Sequence, residues 1–180
     1  MGNNDSKYIS NSKPISESKL KYLILVGIAN GGVYDIVKHY CDDITHEGST
    51  LVGKMRHLNT TMYANVKNSK DLINLLEKYS DENIAIMMCA ELDDRFVSEE
   101  MKQYTAMINR ISSEYSRCSY HTVLIADKLY DSTSVNNAVG SVRNYASILS
   151  SWYGRQFVGC AINLLTLDED NFIKFIANYV

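Results

Sequence analysis

A chain of 180 residues that is 46% apolar and 22% charged has the make-up of an ordinary globule and can bury one full core. Its net charge of −3 forms no basic stripe, which argues against a nucleic-acid partner. There is no uninterrupted apolar run of membrane-spanning length and no apolar signal core at the start, so the expected setting is cytoplasmic with no membrane partner.

Residues 1–20, rich in Ser, Asn and Lys and holding the one proline, Pro14, read as a flexible tail before an α/β domain over 21–180. The opening M-G-x-x-x-S (Gly2, Ser6) fits an N-myristoylation pattern, but a solvated tail is the stronger reading. YLILVG (22–27) is a continuous apolar run, as expected of a strand covered on both faces. Val33, Ile36, Val37, Tyr40, Cys41 and Ile44 then recur at helical spacing. TLVGKM (50–55) predicts a shorter strand, and HLNTTMYANVKNS (57–69) reads as a polar loop in which TTMY can also extend. Ser69 is the expected cap of a second helix with Leu72, Ile73, Leu75, Leu76 and Tyr79 on its apolar stripe.

IAIMMC (84–89) predicts the next strand. Val97, Met101, Tyr104, Ile108, Ile111 and Tyr115 predict the longest helix, and TVLIAD (122–127) a further strand. A fourth helix carries Val135, Val139, Val142, Tyr145, Leu149 and Trp152, with Gly154 as its stop. FVGCAINLL (157–165) is the fifth predicted strand. Asp168, Glu169 and Asp170 open a last helix with Phe172, Ile173, Phe175, Ile176 and Tyr179 on its apolar face. Five strands alternating with five helices predict an α/β fold: a three-layer, doubly wound, five-stranded parallel sheet.

Ligands of such sheets bind beyond the carboxyl ends of the strands. With strand order 2-1-3-4-5, three loops converge there: G-I-A-N-G-G-V-Y (27–34), A-E-L-D-D-R (90–95) and D-K-L-Y-D-S-T-S (127–134). The first feeds a helix start, where free N–H groups and the dipole favour an anion and Gly31 and Gly32 allow close approach. It matches neither G-x-G-x-x-G nor G-x-x-x-x-G-K-[ST], and a plain turn is an equal reading.

LILVGIANGGVYDIVKHYCDDI, NIAIMMCAELDDRFVSEEMKQYTAMI (83–108) and NNAVGSVRNYASILSSWYGRQFVGCAIN (136–163) resemble, in order and spacing, segments of flavodoxin-like NAD(P)H-dependent FMN reductases. The resemblance implies a flavodoxin-like fold of order 2-1-3-4-5 and FMN held non-covalently. Ala29, Asn30, Gly31, Gly32, Val33 and Tyr34 would wrap the phosphate. Ala90, Glu91, Leu92 and Asp93 would flank the ring, with Asp127, Lys128 and Leu129 opposite. NAD(P)H would then be the hydride-donating co-substrate, a small molecule the acceptor, and a homodimer the assembly. Residues 27–34 lack the Ser, Thr and Arg usual in such loops, and 90–95 carry three acids. The competing expectation is therefore a non-catalytic α/β small-ligand-binding or interaction module that has lost the flavin site.

Other constellations have plainer readings. Glu91, Asp93 and Asp94 suit a Mg²⁺ site or acid/base pair, but a helix cap at Asp93 or Asp94 with Arg95 solvated is preferred. A nucleotide- or phosphosugar-processing enzyme using Glu91, Asp93 and Asp127 is a further alternative. Cys41, Cys89, Cys118 and Cys160 form no C-x-x-C pair and read as reduced thiols; His39, His46, His57 and His121 are scattered, so structural zinc is not expected. No G-x-S-x-G elbow marks a serine hydrolase. Trp152 and Tyr153 read as a candidate contact between copies.

Overall fold

Strand β1 (Tyr22–Val26) lies inside a sheet whose two faces are both covered, which is why its side chains are apolar without alternation. The computed structural model describes residues 20–27, 33–91, 96–114, 120–127, 132–153 and 157–161, with Asp170, Asn171 and Lys174. After β1 come α1 (Val33–Tyr40), β2 (Cys41–Glu47), β3 (Thr50–Met55), β4 (Thr61–Val66), α2 (Ser69–Lys78), β5 (Ile84–Glu91), α3 (Phe96–Glu114), β6 (Tyr120–Asp127), α4 (Ser132–Tyr153) and β7 (Phe157–Ala161). The expected tail, 1–20, and the last helix lie largely outside the described residues. Among the described residues, no helix is long and apolar enough to cross a membrane.

These strands form one sheet in the order β2-β3-β4-β1-β5-β6-β7. The α/β class therefore holds, but the five-stranded parallel sheet of flavodoxin order does not. β4 is inserted between β3 and β1, β2 is added at the edge, and β3 runs antiparallel to both of its neighbours. Strand β4 is central and buried along most of its length, although T-M-Y-A-N-V shows no clean pattern. Strand β2 hides for the opposite reason. Its residues after Cys41 are mostly exposed, so burial imposes no apolar pattern on them. The helix expected to run through Ile44 stops at Tyr40, and the chain enters β2 without a loop.

Alternate side chains of β1 feed separate cores on the two faces. Leu23 and Leu25 join Ile36, Val37 and Tyr40 of α1, with Met62, Ala64, Ala85 and Met87 from the sheet. Ile24 and Val26 join Leu72 and Leu76 of α2, Tyr104, Ile108 and Ile111 of α3, and Leu149 of α4. Ile84, Ile86 and Met88 of β5 face this second core.

A bulge in β4 links the two faces. Leu25 pairs with Ala64 but Val26 pairs with Val66, so Asn65 is the extra residue, held at φ 70. Without it, Val66 would share the face of Met62 and Ala64; with it, Val66 turns into the α2/α3 core. Asn tolerates this left-handed backbone, and the Asn65 amide donates to the Ser49 carbonyl at 3.0 Å.

Two further contacts fix α1 and the edge. Gly53 of β3 passes so close to Cys41 that a Cβ there would stand 2.6 Å from the Cys41 Cβ. The Arg56 guanidinium donates to the carbonyls of His39 (2.6 Å), Lys38 (2.8 Å) and Cys41 (3.1 Å), and to Asp42 Oδ1 (3.0 Å). It thereby caps the carboxyl end of α1, where carbonyls have no helical partner. The edge strand itself is broken between Asp42 and Thr45, with Asp43 at φ 52.

Candidate functional site

Strands β4, β1, β5, β6 and β7 are parallel, so their carboxyl ends gather on one rim of the sheet. β1, β4, β5 and β6 each hand over to a helix there, so four helix N-termini, with their positive dipole ends, open on this side. This is the place where open α/β sheets bind ligands.

Local chemistry sets the middle of the rim. Gly27 leaves β1 at φ 71, in the left-handed region that an L side chain resists, and its N–H donates to the Val66 carbonyl at 3.3 Å. Beneath it, the buried Tyr104 phenol reaches the Val26 carbonyl at 3.5 Å. Next to it, Asn68 caps α2, with Oδ1 accepting from the Asp71 N–H at 2.9 Å and Nδ2 donating to Asp71 Oδ2 at 3.1 Å. The cap is thus Asn68 and not Ser69, which forms the first turn.

Of the residues expected to bind a cofactor, Val33 opens α1, and Tyr34 follows it with half of its surface exposed, so it is not a core residue. Ala90 and Glu91 end β5 and Asp127 ends β6; the register pairs Ala90 with Ala126 and Glu91 with Asp127. The sheet therefore brings the start of α1, Glu91 and Asp127 to one rim. Ala29, Asn30, Gly31, Gly32, Leu92, Asp93, Lys128 and Leu129 lie outside the described residues, as do Asp94 and Arg95. Lys67 and Asn68 belong to the same rim, behind β4. They went unnoticed because 57–69 reads as a loop, and only the Asn-x-x-Asp spacing of Asn68 and Asp71 could have marked the turn.

One sequence feature gains meaning from this placement. Gly27 and Gly32 keep the G-x-x-x-x-G spacing of a phosphate-cradling loop between a strand and a helix, but Val33-Tyr34 stand where that loop carries Lys-[Ser/Thr]. Among the described residues, no group of three or more His, Cys, Asp or Glu is arranged to hold a metal ion. Cys41 is a buried thiol whose Sγ lies 3.9 Å from Met62 Sδ, which is packing.

Two of the perturbed phenols, Tyr22 and Tyr63, cluster with Tyr79 away from this rim. Tyr22 stacks on Tyr79 with ring centroids 3.7 Å apart, and the hydroxyls of Tyr63 and Tyr79 are hydrogen-bonded. Burial, then the bond to Tyr79 and its charge, push the Tyr63 phenol far above the ordinary range; burial chiefly raises Tyr22. Their position marks them as packing for β1, β4 and α2, remote from the rim.

No protein-family model and no curated protein matches the chain. Among solved structures it is similar to the small GTPase Arl6 (BBS3) from Trypanosoma brucei with bound nucleotide analogue GppNp. That likeness has a TM-score of 0.55 at 16% identity and covers 88% of this chain and 97% of that one. It shows a shared fold. A futalosine hydrolase mutant of Helicobacter pylori matches over 90% of this chain and 99% of its own, with TM-score 0.35 and 8% identity, too low to compare architectures.

Proposed function

We propose that this chain is a nucleotide-binding-type α/β domain without Mg²⁺-dependent phosphoryl chemistry, working as a non-catalytic small-ligand-binding or interaction module in the reducing cytoplasm. The observation that carries the reading is the sequence spacing of Gly27 and Gly32 ahead of α1, with Val33-Tyr34 at the helix start. In a phosphate loop of this spacing, the Lys neutralises the terminal phosphates and the following hydroxyl ligates Mg²⁺. Val33 supplies no charge, and the Tyr34 phenol sits at the end of a bulky ring instead of on Cβ. Backbone N–H groups at the helix start remain able to hold an anion, since they need no particular side chain. Glu91 and Asp127, paired in register at the carboxyl ends of β5 and β6, put two acidic residues on the same rim, a composition that favours the hydrogen-bond-donating part of a ligand over its phosphates. The fold shared with a nucleotide-bound GTPase supports this reading.

The flavin reading came from the resemblance of three segments, which implied a flavodoxin strand order that this sheet lacks. FMN therefore enters as the second arm of the test. The protein is titrated with a fluorescent GTP analogue and with FMN, with and without Mg²⁺, and phosphate release is followed. The expected result is weak nucleotide binding unchanged by EDTA and no phosphate release above buffer. Mg²⁺-dependent release would overturn the proposal. Tight FMN binding with NAD(P)H-driven bleaching would replace it with an FMN reductase.

A further inference from the structure

Tyr22 at the start of β1 and Tyr79 at the end of α2 lie almost face to face, with ring centroids 3.7 Å apart and planes 19° from parallel. Aromatic pairs usually keep their centroids about 4.5–7 Å apart, so these two rings overlap with little offset. A six-membered ring is symmetric enough that, however the two are turned, an ortho carbon of one stands within roughly 4–4.5 Å of an ortho carbon of the other. The other pairs in the cluster do not match this. Tyr22 with Tyr63 and Tyr63 with Tyr79 are tilted by 50° and 51°, with centroids 6.2 and 5.9 Å apart. The Tyr79 ring is also held in place, by the hydrogen bond between its hydroxyl and that of Tyr63 and by the Lys78 ammonium 5.3 Å from its centroid. Access separates the three phenols. Tyr22 and Tyr79 are half-buried and keep a solvent-facing edge, whereas Tyr63 is only 4% exposed.

We infer that Tyr22 and Tyr79 form an oxidative cross-linking site, which one-electron oxidants of the peroxidase class convert into a dityrosine within one chain. Each phenol gives up one electron and its hydroxyl proton and becomes a phenoxyl radical. The two radicals pair their electrons in a new carbon–carbon bond between ortho carbons. The hydrogen on each of those carbons then moves to its ring oxygen, which restores both hydroxyls and both aromatic rings. The net loss is two hydrogens, taken up as one hydrogen peroxide becomes two waters. Phenoxyl radicals approach one another face to face before they bond, and the fold holds the rings in that arrangement beforehand. Tyr34, half exposed at the rim, couples to another copy only by collision, which becomes rare in dilute protein. The bond made is carbon–carbon, so thiol exchange does not reverse it as it would a disulfide. It ties the start of β1 to the end of α2 and marks oxidation permanently.

The full chain, in dilute solution, is treated with a haem peroxidase and hydrogen peroxide, and in parallel with a small photogenerated ruthenium(III) oxidant that needs no docking. Dityrosine emission, denaturing electrophoresis and mass spectrometry of tryptic peptides are the readouts. The expected product migrates as a single chain. In it the peptide beginning at Tyr22 is joined to the peptide beginning at Tyr79, two hydrogens lighter than their sum. Tyr22→Phe and Tyr79→Phe keep a ring in the stack but remove a radical, and each should cut single-chain emission at least ~10-fold. Tyr63→Phe should leave most of it. The inference is overturned if neither oxidant gives the cross-link, or if it maps to other tyrosines. It is equally overturned if emission persists in the Tyr22 or Tyr79 variant, or if the denatured chain forms the same bond as readily.

Discussion

Replacing Arg56 with Ala should destabilise the protein through the end of α1, and the size of the loss can be worked from the contacts. The guanidinium serves the Lys38, His39 and Cys41 carbonyls and the Asp42 carboxylate. Two short charge-assisted bonds to orphan carbonyls are worth about 1 kcal/mol each once partial exposure is allowed for, and the longer third somewhat less. The Asp42 pair adds little, because its side chains are 34% and 64% exposed and surface ion pairs contribute ~0–1 kcal/mol. The total is about 2–3 kcal/mol, which in a domain of this size lowers the melting temperature by roughly 5–10 °C. Urea denaturation with an unchanged slope, together with thermal melts, measures it. Arg56→Lys should recover only part of the loss, because one ammonium cannot reach carbonyls in a fork, and Asp42→Asn should cost under about 1 kcal/mol. If Arg56→Ala melts within a degree or so of the parent, or Lys restores full stability, the capping account is wrong.

Gly53→Ala should cost about 1–3 kcal/mol by overpacking, and Cys41→Ala should not rescue it because the opposed atom is the Cys41 Cβ; calorimetry of the two variants and their combination decides this. Raised phenols bind their protons more tightly folded than unfolded, so their stabilisation is complete below the unfolded value near pH 10 and fades as pH climbs above it. Tyr63→Phe should therefore flatten the alkaline loss, read as denaturation midpoints between about pH 8 and 11. Val33→Lys combined with Tyr34→Thr should complete G-x-x-x-x-G-K-T and raise GTP-analogue affinity at least ~10-fold in a Mg²⁺-dependent way; a titration that shows no gain would indicate that this glycine spacing does not serve as a phosphate loop.

The parts of this fold that could be read from the sequence are those where burial imposes a pattern. Y-L-I-L-V and I-A-I-M-M announce β1 and β5 because both sheet faces cover them. Leu72, Ile73 and Leu76, and Tyr104, Ile108 and Ile111, announce α2 and α3 by their spacing. Strand β2 could not be read, since Asp42, Asp43, His46 and Glu47 are exposed and Cys41 and Ile44 happen to extend the spacing of α1. In β4 both faces are covered, so no alternation is expected, and the polar Thr61 and Asn65 break up the apolar run that would have marked the strand. Without these two strands, the sheet expected from the sequence was smaller and wholly parallel. At the rim, strand β1 and the helix after it were legible, but the glycine spacing acquires its meaning only once Val33 is seen to begin α1.

The border formed by β2 constrains how this molecule can aggregate. An uncovered strand normally invites an incoming chain to extend the ladder, yet here Asp42, Asp43 and Glu47 would confront any identical neighbour, and the kink at Asp43 spoils the straight run needed for stacking. Growth of fibrils from that margin is thereby discouraged at the cost of a locally strained backbone. Neutralising those carboxylates, by acid or by substitution, should remove the safeguard before the cores on either side of the sheet give way.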